Sequence, residues 1–337
     1  MKITFLGTSA GIPTKQRNVT AIAVQPHQQA DWWLVDCGEG TQHQLLHTSL
    51  SLSRLTTIFI THLHGDHCYG LPGLLATRAL QGGSQNIPLT LIGPAGIKAL
   101  IEGICHHTQL YLNYPLTIIE VNSIPTTLTI DQHQIDVVPM EHNITSYGYL
   151  ISPPDIPGHL DAAKAKALGI PPGPIYQQLK QGKQVILEDG REIDGSDLLS
   201  PTTPAPKVLI AGDNANPQQL LPWLKSVSLL IHESTLTEPE LLRLATTIHH
   251  STAAAVAKVA NQAKLANLIL THFSARYRDS SNQGKLTIND IRQEASKHFH
   301  GQLFLAEDWQ QYTLTTEGKL LLTQLIQKPN NTPAINC

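Results

Sequence analysis

The chain has 337 residues, long for one domain but within reach of a large α/β fold, and 41 % hydrophobic residues can build a substantial core. A formal net charge of −3 argues against a generic polyanion binder, so any nucleic-acid contact has to come from a local basic patch or from metal ions. The opening apolar run is too short for a signal peptide and no stretch approaches the ~18 apolar residues of a membrane span; four scattered cysteines (Cys37, Cys68, Cys105, Cys337) without a C-x-x-C pair then predict a reducing, cytoplasmic setting.

In chain order, β-branched and alternating runs predict strands over residues 2–7, 20–25 and 32–36, a short helix over 39–48 and a buried strand over 56–60. Residues 71–80 read as a helix, 89–92 as a strand and 95–107 as an amphipathic helix; strands follow over 116–121, 127–130, 135–139 and 147–151. The rhythm then breaks. Between Ser152 and about Ser200 lie Pro153, Pro154, Pro157, Gly158, Gly169, Pro171, Pro172, Gly173 and Pro174. This pattern predicts an inserted, projecting arm over 153–198, with short helices over 160–168 and 175–181 and a hairpin around Asp189-Gly190. Ile175, Tyr176, Leu179, Val185, Ile186 and Leu187 are too apolar for a plain disordered linker. Alternation resumes with strands over 208–211, 229–231, 268–270 and 302–306 and helices over 218–225, 253–264 and 288–299. Each half pairs a sheet with helices on one side, which predicts an α/β fold of the αββα sandwich type over 1–325; residues 326–337 read as a disordered tail.

The densest chemistry is Thr61-His62-Leu63-His64-Gly65-Asp66-His67, directly after the buried strand, where open α/β sheets place their sites. Extended alternation sends His62 and His64 to one side, and a turn at Gly65 brings Asp66 and His67 round to a second point. His142, Asp213 and His272 each close an apolar strand. Singly each is an ordinary strand-end polar residue. Together the seven suit two zinc ions or similar divalent cations: His62, His64 and His142 on one, Asp66, His67 and His272 on the other, with Asp213 bridging. Two such ions lower the pKa of water towards ~7 and clamp the oxygens of an in-line displacement, which suits phosphodiesters and would also serve esters, thioesters or lactams. Asp66 is placed as both ligand and base.

The Thr-His-x-His-x-Asp-His run with His142, Asp213 and His272 resembles the metallo-β-lactamase fold superfamily. From about Lys2 to about Ala306 the chain is similar to the ribonuclease Z family of tRNA 3′-processing endonucleases, in its short bacterial form. Four further stretches carry that likeness: Pro13-Thr14-Lys15-Gln16-Arg17-Asn18, Asp36-Cys37-Gly38-Glu39-Gly40-Thr41-Gln42, His232-Glu233-Ser234-Thr235 (Ser234 where the family usually has Ala) and His250-Ser251-Thr252. The resemblance implies two zinc ions per subunit, precursor tRNA as substrate and a homodimer. It implies that His250 donates a proton to the leaving oxygen, oriented by Glu233. It also implies that the arm is an exosite for the tRNA elbow, built on Gly173-Pro174. Between His159 and Lys183 the arm carries Lys164, Lys166, Lys180 and Lys183 against only Asp161, a basic excess suited to gripping phosphates. Lys15, Arg17 and Asn18 are expected near the acceptor end; Arg276 and Tyr277 are expected to touch a phosphate and a base face. The competing readings are a metallohydrolase for small molecules, such as a phosphodiesterase or thioesterase, and a non-catalytic RNA-binding relative.

Overall fold

A computed structural model of the chain describes residues 1–27, 29–81, 83–244, 249–278 and 286–325; the predicted tail, 326–337, lies outside the described residues. Two compact units emerge: Met1–Ser152 together with Pro206–Cys337, and Pro153–Ala205.

In the larger unit single strands feed two cores at once. Trp32 and Leu34 enter one apolar cluster while Trp33 and Val35 enter another, as a pleated strand buried on both faces requires. Leu230 likewise parts from Leu229 and Ile231, and Ile269 from Leu268 and Leu270. An eight-stranded sheet runs in the order 320–325, 310–314, 2–7, 21–25, 32–35, 55–59, 89–94, 116–121; a seven-stranded sheet runs 302–305, 267–271, 227–233, 207–210, 146–152, 133–140, 126–130. Ile3, Phe5, Trp33 and Phe59 of the first meet Val137, Tyr149, Ile210 and Ile231 of the second in one shared core. Helices Leu71–Leu80 and Ile97–Thr108 cover the outer face of the first sheet; Ala253–Gln262 and Ile288–Ser296 cover that of the second. The result is an αββα sandwich.

Local signals explain where several elements begin. Thr252 caps Ala253–Gln262 by accepting the Ala255 N–H at 3.2 Å, and Thr287 with Asp290 forms a capping box on Ile288–Ser296. The helix expected over 218–225 is instead two 3₁₀ turns, Pro217–Leu220 and Leu224–Ser226. Pro222 between them has no N–H to donate to a continuing helix. The helix expected over 39–48 shortens to Thr41–Leu45. Strands Gln310–Leu314 and Leu320–Leu325, and helices Gly65–Cys68 and Glu238–Leu244, have no counterpart in the sequence reading. The two strands become strands by pairing: Ile3 lies opposite Tyr312, and Tyr312 opposite Leu322.

The parallel strands Trp32–Val35 and Leu55–Phe59 in one sheet, and Lys207–Ile210, Val227–Glu233 and Asn267–Thr271 in the other, place the chemistry at their carboxyl ends.

The smaller unit has its own core of Ala165, Ile170, Leu179, Val185 and Leu198. Around it stand helices Ala162–Ala167 and Pro174–Leu179 and the hairpin Gln184–Ile186/Glu192–Asp194. Residues 153–205 carry five basic and seven acidic side chains. The lysines all precede residue 184; Glu188, Asp189, Glu192, Asp194 and Asp197 all follow it. Lys164 Nζ donates to the Asp197 carbonyl at 2.7 Å and Arg191 pairs with Asp189 at 2.7 Å. The basic excess between His159 and Lys183 therefore belongs to one half of a charge-segregated unit, whose other half is acidic.

Candidate metal centre

Asp36 organises the first half of the site. Its Oδ1 accepts the Thr61 N–H at 2.8 Å, and its Oδ2 accepts Thr61 Oγ1–H at 2.9 Å and His67 Nδ1–H at 2.7 Å. Thr61 Oγ1 has then spent its proton and accepts His62 Nδ1–H at 3.0 Å. His142 Nδ1 donates to the His249 carbonyl at 2.8 Å. His272 Nδ1 donates to Thr235 Oγ1 at 3.0 Å, whose own proton goes to Glu233 Oε2. Each of the four imidazoles thus has its Nδ1 occupied and turns a bare Nε2 lone pair inward. Asp36 and His272 both sit at positive φ, 59° and 56°, a strained conformation for non-glycine residues that the surrounding hydrogen bonds hold in place.

The inward atoms form two groups. His62 Nε2 and His142 Nε2 lie 3.1 and 3.2 Å from His64 Nδ1 and 3.7 and 3.8 Å from Asp213 Oδ2. His67 Nε2 and His272 Nε2 lie 3.3 Å apart, 3.4 and 3.3 Å from Asp213 Oδ1, and 3.5 and 3.3 Å from Asp66 Oδ2. Unshared lone pairs and carboxylate oxygens repel at such distances unless a cation lies among them. Nitrogen and oxygen ligands about 2.0–2.1 Å from a tetrahedral metal are spaced by roughly 3.3–3.4 Å, close to what these atoms show. The donor set therefore fits two divalent cations, with the two oxygens of Asp213 each facing one group.

The electrostatics agree. Burial pushes the His62 imidazole down to about 2, and burial also lowers His142, so both remain neutral donors. Burial would raise the Asp213 and Asp66 carboxyls, but His272 and His67 around them hold both well below the usual carboxylate range. Burial alone would lower His67, yet Asp213 and Asp36 raise it well above its usual value; the position demands positive charge, which a metal ion supplies in place of a proton. Asp66 Oδ2 also accepts the Gly11 N–H at 2.7 Å.

His250 stands beside this cage. Its Nδ1 is 3.1 Å from both Glu233 oxygens and 3.7 Å from Asp213 Oδ2; its side chain is 23 % exposed against 2 % for Glu233. Glu233 is fixed by the Asn214 N–H at 2.7 Å and by Thr235. Burial lowers the His250 imidazole, but the charge and hydrogen bond of Glu233, with Asp213 and Asp66, push it up to about 9. Such a group holds a proton at neutral pH. His250 also forms a third group of donor atoms with Asp213 and His272.

Of the residues singled out in the sequence, the structure brings together His62, His64, Asp66, His67, His142, Asp213 and His272, with Glu233 and His250 alongside. It does not present Arg17 to a ligand. Arg17 is 5 % exposed, donates through Nη1 to Thr8 Oγ1 at 2.8 Å and the Ala306 carbonyl at 2.7 Å, and lies over the Phe273 ring at 5.1 Å. It clamps the fold next to His272, because a guanidinium can satisfy several buried acceptors at once. Tyr277 is likewise buried, its hydroxyl accepting the Thr237 N–H at 2.8 Å, so it offers no base-stacking face. Asn18 Nδ2 donates to the Glu39 carbonyl at 2.8 Å. Lys15, Lys164, Lys166, Gly173, Pro174, Lys180, Lys183 and Arg276 are exposed. The sequence reading missed Asp36, Thr61, Asn214 and Thr235 as site residues. Asp36 had a usable signal, since it ends an apolar strand as Asp213 and His272 do.

A family model described as "Anti-Pycsar protein Apyc1" matches residues 1–152. The ribonuclease Z of Pseudomonas putida (strain GB-1) is 43 % identical over 320 residues, spanning 95 % of this chain and 99 % of that protein. Among solved structures, human tRNase Z, short form, is similar with a TM-score of 0.63 at 26 % identity, over 94 % of this chain and 100 % of that one. The metallo-beta-lactamase fold protein YhfI from Bacillus subtilis reaches a TM-score of 0.62 at 18 % identity, over 92 % and 98 %, a likeness of fold.

Proposed function

The chain belongs to the ribonuclease Z family, and we propose that its metal centre performs tRNA 3′ processing: endonucleolytic removal of the 3′ trailer from precursor tRNA, leaving a 3′-hydroxyl on the tRNA and a 5′-phosphate on the trailer. The observation behind this reading is the convergence of donor atoms from six residues, His62, His64, Asp66, His67, His142 and His272, around the two oxygens of Asp213. The histidine-rich set suits zinc, two ions per subunit, one among His62, His64 and His142 and one among Asp66, His67 and His272. Such ions supply Lewis acidity and lower the pKa of water to about 7. The remaining chemistry falls to the chain. Asp213 and Asp66 stay ionised and hold the site's negative charge. His250, oriented and charged by Glu233, gives its proton to the departing 3′-oxygen of the tRNA. Exposed Lys164, Lys166, Lys180 and Lys183, with the Gly173-Pro174 turn, form an exosite for the tRNA elbow, and Lys15, Asn18 and Arg276 lie towards the acceptor end. The enzyme works as a homodimer in the cytoplasm, where Cys37, Cys68 and Cys105 stay reduced.

Mapping the ends formed from one trailer-bearing transcript tests this. A single cut that yields a 3′-hydroxyl and a 5′-phosphate is expected. Intact pre-tRNA alongside rapid turnover of bis-p-nitrophenyl phosphate would instead favour a metal-dependent phosphodiesterase or thioesterase acting on small molecules.

A further inference from the structure

Three of the chain's eight arginines meet at one place. Arg243, Arg276 and Arg278, with Ala275 and Leu286, line a cleft of about 330 Å³. Like charges gathered in one cleft repel, and here they are only partly compensated. Glu240 holds Arg243 through two contacts, 3.0 Å to Nε and 2.8 Å to Nη2. Among the described residues no carboxylate lies within ion-pair distance of Arg276 or Arg278; Arg276 Nη1 reaches only Ser274 Oγ, at 3.3 Å. Both side chains are exposed.

Their backbone is firmly placed. Tyr277, between them, is buried and anchored on Thr237, and its N–H closes a turn onto the Ser274 carbonyl at 3.0 Å, while Arg276 and Arg278 on either side of it are exposed and line the same cleft. Arg278 donates its N–H to the Leu286 carbonyl and accepts from the Ile288 N–H, both at 3.0 Å. Ser274 pairs with Ala10. The segment begins at His272, and an extended chain spans at most about 3.3–3.6 Å per residue, so the Cα atoms of Arg276 and Arg278 lie within roughly 14 and 22 Å of that of His272. A few backbone phosphates of a bound RNA strand cover that reach.

We propose that the Arg243–Arg276–Arg278 cleft is a phosphate-binding subsite that grips the RNA backbone a few nucleotides from the scissile bond. It rests on the endoribonuclease reading above and widens the single contact assigned to Arg276. Guanidinium forks match phosphate oxygens in pairs, and a bound phosphate relieves the repulsion among the three arginines. The phosphate belongs to the trailer or to the acceptor strand; the chemistry is the same in both.

The test measures kcat/KM of the metal-loaded protein on pre-tRNA across a range of NaCl, for the wild type, Arg278→Ala and Arg278→Lys. Arg278→Ala is expected to lose about five- to tenfold at low salt, as fits loss of a charge-assisted hydrogen bond. Its slope of log kcat/KM against log salt should become shallower by about 0.7–0.9, one phosphate contact. Arg278→Lys should keep the wild-type slope. Repeating the series with the trailer cut to one nucleotide separates the sources: a loss that vanishes puts the phosphate in the trailer, and one that persists puts it in the acceptor strand. A wild-type slope in Arg278→Ala, or an Arg278→Lys slope as shallow as that of Ala, overturns the subsite while leaving tRNA processing intact. Pre-tRNA left uncut by the wild type itself overturns the endoribonuclease reading, and the subsite with it.

Discussion

At the candidate metal centre the side chains proposed as ligands are buried or nearly so, and four imidazoles have their outer nitrogens tied to Asp36, Thr61, Thr235 or the His249 carbonyl. In the unit spanning 153–205 the lysines are exposed, Lys164 and Lys166 on the short helix Ala162–Ala167 and Lys180 and Lys183 past the end of Pro174–Leu179, and among the described residues only Lys164 has a hydrogen bond fixing its tip. The contrast fits the roles proposed for the two regions. Chemistry at one phosphorus atom requires atoms placed to a few tenths of an ångström, which needs buried hydrogen bonds with no slack. Gripping a charged backbone needs charge and reach, and tolerates mobile side chains.

Substitutions can sharpen or break this contrast, ranked here by their expected effect on hydrolysis of a small phosphodiester. Asp213→Ala should abolish turnover and strip metal, since one residue faces both donor groups; metal analysis beside the rate assay checks it, and a variant retaining two ions would break the cage. His250→Ala should slow the reaction by roughly 10²–10⁴-fold with metal content unchanged, as expected for a lost proton donor. Lost metal would make His250 a ligand instead. Asp36→Asn should weaken metal affinity by about 10–100-fold, the usual cost of removing a partner that orients a ligand; competition with a chelator measures it. Deleting residues 155–195 should leave small-diester turnover near wild type while pre-tRNA binding weakens and its salt dependence flattens. Equal loss of both activities would show that the two regions are not separable.

Much of the site was legible because its signals are local. A histidine or aspartate just past an apolar run, as at His142, Asp213 and His272, falls at a strand end, where α/β sheets place their sites. The His62–His67 spacing likewise states its geometry within a few residues. Arg17 was misleading for the opposite reason. Its surroundings in sequence, Lys15-Gln16-Arg17-Asn18, look like a solvated basic loop, but its partners Ala306 and Phe273 lie more than 250 positions away. The arm shows the same limit: a window of lysines reads as basic until the acidic hairpin that completes the unit is counted with it.

The amino-acid order alone thus determined the candidate ligand types, the apolar runs that become strands and the inserted segment, all properties of short windows. Only the tertiary structure decided which nitrogen each histidine turns inward, that Arg17 is a clamp, that residues 310–314 and 320–325 are strands, and that three arginines share a cleft. Each of these depends on hydrogen bonds or charges between residues far apart in the chain, which exist only once the two sheets have packed.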